Sequence, residues 1–194
     1  DEVDDYYMLH MVEVIHYGAE KESGLHLASE NGHVDIVKML IQNGVDVNAA
    51  TKKSWTAIHF AALKGHADVV KILIQNGADI NALGETRGNG KLNALIFAAL
   101  GGHIDIVSLL LLSGADVNSV DRFQNTALHC AIRRKHFDVA KLLIRNGADV
   151  NAKNGDDWST AIHKLSDTGG KNFGIRNRDL SEKDAEGVDL MKLL

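Results

Sequence analysis

The sequence predicts an all-α solenoid, a row of stacked helix-turn-helix units joined by β-turn or hairpin loops. Three observations predict it. The run HVDIVKMLIQNGVDVNA at His33 returns as HADVVKILIQNGADINA at His66, HIDIVSLLLLSGADVNS at His103 and HFDVAKLLIRNGADVNA at His136, at offsets of 33, 37 and 33 residues. Self-similarity at such a period marks a stacked array, not a globule closed around one centre. Within each copy the apolar residues fall at helical spacing and a glycine stops them. The helices so marked are too short to be stable alone, so each must bury its stripe against a neighbour.

The elements follow in order. Residues 1–19 read as an N-terminal cap or half repeat. Met11, Val14 and Ile15 can be laid over Val37, Leu40 and Ile41 of the first full copy, with Gly18 over Gly44. Repeats follow at 20–49, 50–82, 83–119 and 120–152, within a single domain spanning 1–194. In the second, Thr56 can cap the helix AIHFAALK and Gly65 can end it. Ala57, Ala61 and Ala62 leave that helix slim enough for close approach. Asp68 then opens a second helix, where a negative charge suits the dipole. Val69, Ile72 and Leu73 form its stripe, and Gly77 ends it before the turn ADINA.

The third repeat carries four extra residues in LGETRGNGK, Leu83 to Lys91, and Gly84, Gly88 and Gly90 predict a flexible loop there. Residues 153–194 read as an interrupted fifth repeat or C-terminal cap. Val188, Asp189, Leu190 and Lys192 align with Val34, Asp35, Ile36 and Lys38, after a polar insertion of 17 residues at about Thr168–Asp184. Both ends leave two readings open, an end-capped array and a fragment of a longer one.

Composition narrows the function classes. A net charge of −5 argues against a phosphate-driven nucleic-acid binder. No apolar run approaches the roughly 18–20 residues that span a bilayer, and the acidic opening DEVDD does not read as a signal peptide. One cysteine excludes an internal disulfide framework and fits a reducing compartment, the cytoplasm or nucleus. Cys130 sits in the apolar run LHCAI and reads as a small buried filler.

Of ten histidines, eight fall in two repeat columns: His26, His59, His129 and His163, and His33, His66, His103 and His136. Stacked helices stand about 8–10 Å apart, too far for equivalent imidazoles to share an ion at about 2 Å. They read as structural hydrogen-bonding groups. GETRGNG lacks phosphate-loop spacing, and no acid/base pair or Ser-His-Asp arrangement is present. No catalysis, cofactor or metal is expected.

The segments SGLHLA at Ser23, TAIHFA at Thr56, NALIFA at Asn93, TALHCA at Thr126 and TAIHKL at Thr160 resemble the ankyrin repeat and its T-P-L-H-x-A pattern. The resemblance covers about residues 20–165, with a degenerate fifth repeat reaching Leu194. The chain departs from the family in having no proline. Gly24, Ala57, Ala94, Ala127 and Ala161 stand where the family has one, each change costing about 0.4–1 kcal/mol through a freer unfolded chain. In the third repeat Asn93 and Ile96 replace the usual Thr and His, so that repeat loses their polar network.

The resemblance implies a protein-protein interaction scaffold whose concave face and turn tips meet the partner, or a regulatory or targeting segment of a larger enzyme, channel or secreted effector. An effector would carry the chain to a host cell. A monomer is expected, with neither nucleic acid nor membrane insertion. The candidate partner-binding residues are Glu30, Leu63, Lys64, Leu100, Arg133 and Arg134 at the ends of first helices, with Lys52, Lys53, Trp55 and Phe123 at the turns. Two readings stand for the apolar ones: partial burial against a neighbouring repeat, or an aromatic and aliphatic anchor for an acidic amphipathic segment, flanked by the cations.

Overall fold

The computed structural model describes residues 24–87 and 90–155. The readings of residues 1–19, of the segment Thr160–Leu165, of His163 and of the insertion at Thr168–Asp184 lie outside the described residues. The chain divides between Ala94 and Leu95 into two compact units.

The first unit contains α1 (Gly24–Glu30), α2 (Val34–Gln42), α3 (Ala57–Lys64), α4 (Ala67–Gln75), β1 (Gly84–Thr86) and β2 (Gly90–Leu92). Helix α1 packs on α2 and on α3, α3 on α4, and α2 on α4. First helices thus lie on first helices and second on second. The second unit contains α5 (Ala94–Gly101) from its second residue onward, α6 (Ile104–Leu112), α7 (Ala127–Arg133) and α8 (Phe137–Arg145). There α7 packs on α8, and α8 on α6. Each of the spans 20–49, 50–82, 83–119 and 120–152 holds one helical pair.

The two helix types bury differently. Every residue from Ala57 to Leu63, and from Ala94 to Leu100, is buried. A helix that is apolar all round has no solvent stripe and must be enclosed. Second helices are amphipathic, with Val69, Val70 and Leu73 buried in α4 and Val139, Ala140 and Leu143 in α8. Each Val or Leu among them contributes about 1.5–3 kcal/mol on leaving water.

The first-helix histidines fix the turns. Thr56 N–H donates to His59 Nδ1 at 3.0 Å, so the ring proton belongs on Nε2, which donates to the Ala82 carbonyl at 2.9 Å. His26 Nε2 does the same to Ala49 at 2.8 Å. In the second unit Thr126 and His129 form the same reciprocal cap. The second-helix histidines occupy N-cap positions without capping. Instead they reach back one repeat: His66 Nε2 to the Glu30 carbonyl at 2.9 Å, and His136 Nε2 to Leu100 at 3.2 Å.

A further column binds the turns that follow second helices. Asp46, Asp79, Asp116 and Asp149 each accept from the backbone N–H two residues on. The Asn of that motif then bridges to the next repeat. Asn48 donates to the Gly77 carbonyl and accepts from Asp79 N–H, and Asn118 repeats this with Gly147 and Asp149.

The Leu83–Lys91 segment differs from the flexible loop expected. Gly84–Thr86 and Gly90–Leu92 form an antiparallel pair, with Gly84 opposite Leu92 and Glu85 opposite Lys91. Gly84 is required there for contact, because a Cβ at that position would meet the Trp55 ring at 2.9 Å.

Candidate partner-binding surface

The turn before α3 is closed by Thr51 N–H to the Trp55 carbonyl at 2.8 Å and by Trp55 N–H to Thr51 Oγ1 at 3.1 Å. In the second unit Asp121 and Asn125 make the equivalent turn, with Asp121 Oδ1 accepting from the N–H groups of Phe123 and Asn125 at 2.8 Å each. The tip carbonyls are used in turn by the segment that follows. Glu85 N–H donates to Lys53, and Gly155 N–H to Phe123. The tips are therefore hydrogen-bonded platforms, and their side chains are what they offer to solvent.

Of the two readings left open for the apolar candidates, burial holds for Trp55, Leu63 and Leu100, and their place among the partner-contacting residues is corrected. They are 2%, 7% and 6% exposed. Trp55 lies beneath its turn, with its ring against His59 and Phe60 and its indole N–H donating to the Glu85 carbonyl at 2.7 Å. Among the described residues of the column before the first-helix cap, Leu92 and Asn125 are buried too. Leu63 and Leu100 close helices that have no free face. The sequence signal that could have placed them was the apolar character of AIHFAAL, broken only by His59, and of ALIFAAL.

The polar candidates stand elsewhere. In the first unit Lys52 is exposed, and Lys53, Lys64 and Glu30 are half-buried. Lys64 Nζ lies 3.4 Å from Glu30 Oε1, joining the ends of α3 and α1. In the second unit Phe123 is half-buried, with the Arg122 guanidinium 5.2 Å from its ring centre. Arg133 and Arg134, half-buried, close α7.

Sequence reading missed the exposed apolar face of α6. Leu112 there is 82% exposed and Ile104 is exposed as well. The equivalents of Leu112 in the other second helices are Gln42, Gln75 and Arg145.

The titratable groups are arranged for structure. Burial lowers His59 to about 4, against the opposing effect of its Ala82 carbonyl bond, and burial lowers His26 as well. Burial raises the Cys130 thiol to about 11, despite the nearby Arg133. That holds it protonated and unreactive at neutral pH. Among the described residues no three His, Cys, Asp or Glu side chains converge on a metal site, and no helix is long and apolar enough to cross a membrane.

Repeated helical hairpins, stapled to their neighbours through backbone carbonyls and bearing varied side chains at tips and first-helix ends, define a repeat protein of the recognition type. Matches to a family model described as ankyrin repeats (3 copies) cover residues 5–84 and 82–154. The chain belongs to the ankyrin-repeat family. Such repeats are generally protein-protein interaction modules and are typically non-catalytic. No curated protein matches the chain.

Proposed function

We propose that the chain is a non-catalytic scaffold that binds a partner protein through the turn tips and the half-buried polar ends of its first helices. The observation that carries this reading is a division of labour. The repeat-wide residues, His26, His59, His66, His136, Asn48 and Asn118, spend their polar groups on neighbouring backbone. Glu30, Lys52, Lys53, Lys64, Phe123, Arg133 and Arg134 differ from repeat to repeat and keep part or all of their side chains at the surface. Arg and aromatic side chains are enriched at interface hot spots, and the cations favour an acidic partner. Trp55, Leu63 and Leu100 are buried and lie outside this surface. The single cysteine, buried as a thiol, suits an intracellular setting.

The test is quantitative. A partner captured by the full chain is purified and titrated against wild type, Lys64→Glu, and Arg133→Glu/Arg134→Glu. Loss of roughly tenfold or more in affinity with unchanged helical content supports the reading. Full affinity in both variants rejects it.

A further inference from the structure

The hairpin of the third repeat carries a local charge opposite to that of the chain. Lys52, Arg87 and Lys91 are exposed and Lys53 is half-buried, and among the described residues of these two segments, 51–55 and 84–92, the exposed carboxylate is Glu85. These five side chains sum to +3 on a protein whose net charge is −5. They are neighbours by construction. Glu85 turns its N–H toward Lys53 and its C=O toward the Trp55 indole, so the 53–55 segment runs along one side of β1. On the other side Glu85 faces Lys91 across the hairpin, with Nζ 3.7 Å from Oε1. Adjacent strands stand about 4.8 Å apart, which spreads the cations over a shallow platform instead of converging them on a pocket. The platform is held firmly, because the Trp55 ring fills the space a Cβ on Gly84 would occupy.

We infer that this basic hairpin docks an acidic, extended peptide segment of the partner protein. The inference rests on the interaction reading above and assigns it one surface and one partner chemistry. Distributed cations match carboxylates spaced along a chain, and they add on-rate and selectivity. A nucleic acid fits less well. The net negative charge repels a polyphosphate, and the aromatic side chain of this platform lies beneath it, where no base can stack.

The experiment uses the full chain and a capped peptide of about twelve residues alternating Glu and Ser. Binding is followed by anisotropy and by the indole N–H resonance of Trp55, assigned with Trp158→Phe. Saturable binding that shifts the Trp55 resonance is expected, weakening roughly tenfold between about 50 and 300 mM NaCl. Lys52→Glu/Lys53→Glu/Arg87→Glu/Lys91→Glu should lose at least about tenfold in affinity. The milder Lys52→Gln/Arg87→Gln/Lys91→Gln should lose part of it, and Lys38→Glu/Lys71→Glu, a charge reversal at exposed positions of the second helices, should leave it within about twofold. No saturable binding at low salt, or undiminished binding by the glutamate variant, overturns the inference. So does tighter binding of an oligonucleotide of equal charge. A purified partner that ignores the hairpin variants yet is lost with Arg133→Glu/Arg134→Glu would sink this inference while the scaffold reading stands.

Discussion

The imidazole of His66 lies against Gly32. A Cβ on that glycine would fall 2.6 Å from Nδ1, while Nε2 of the same ring holds the Glu30 carbonyl at 2.9 Å. Gly102 and His136 repeat the arrangement in the second unit. Both glycines have positive φ, +71° and +73°. The glycine is therefore needed twice, for its backbone conformation and for the ring that covers it.

Gly32→Ala should destabilise the chain by about 2–3 kcal/mol, adding left-handed strain to a steric clash. His66→Ala in the same background should recover part of the loss by removing the ring. Denaturant midpoints of the two single variants and the double give the coupling. Strict additivity would show that the ring is not the cause.

Lys135 occupies the equivalent position of the fourth repeat with φ +59°. It is exposed. Lys135→Gly should relieve about 1 kcal/mol of left-handed strain and give part of it back as unfolded-chain entropy, a net gain of a few tenths. A lower thermal midpoint for the glycine variant would refute this.

Acid should unfold the first unit through its buried histidines. The folded pKa of His59, about 4, lies below the ordinary 6.5, so the unfolded chain binds the proton more readily. Stability is full above pH 6.5 and falls as pH drops toward 4, by about 3 kcal/mol in all for this group. His26 is shifted in the same direction and steepens the slope. Urea midpoints across this range should fall with pH in wild type and fall less in His59→Gln. Stability that stays level down to pH 4 would contradict the assignment.

Trp55→Phe keeps an aromatic ring near His59 and Phe60 but deletes the bond to Glu85. A loss of about 1–2 kcal/mol is expected, concentrated in faster hydrogen exchange at Glu85. Uniform exchange acceleration across the unit would argue against a local clamp.

Cys130 should resist alkylation at neutral pH. The buried thiol, raised to about 11, has little thiolate to offer. Modification by iodoacetamide should track unfolding by urea; rapid labelling of the native chain would place the sulfur at the surface.

The frame was legible because it is periodic. The helical pairs, the caps at Thr56 and Thr126 and the structural use of the histidines all come from residues that recur. The surface was legible only in part. Lys52, Lys53, Lys64 and Glu30 reach solvent, whereas Trp55, Leu63 and Leu100 do not, because a residue's place in a turn or last helical turn does not say which way the enclosed side faces. Two cues were present, the predominantly apolar run of the first helices and the pairing of a large ring at Trp55 with a glycine at Gly84. The hairpin at 84–92 was hidden by its glycines, which read as looseness but allow close packing. Exposed Leu112 shows in sequence only beside its polar counterparts.

Among the described residues, several hydrogen bonds that join one repeat to the next end on a main-chain carbonyl. Glu30 and Leu100 have nothing chemically in common as side chains, yet the carbonyl of each receives an imidazole from the same repeat position, His66 for one and His136 for the other. A carbonyl is present whatever the residue, so the receiving position can be rewritten without unfastening the join. Binding preference can therefore drift through mutation, or be redesigned by hand, at the very sites where the architecture is insensitive to spelling.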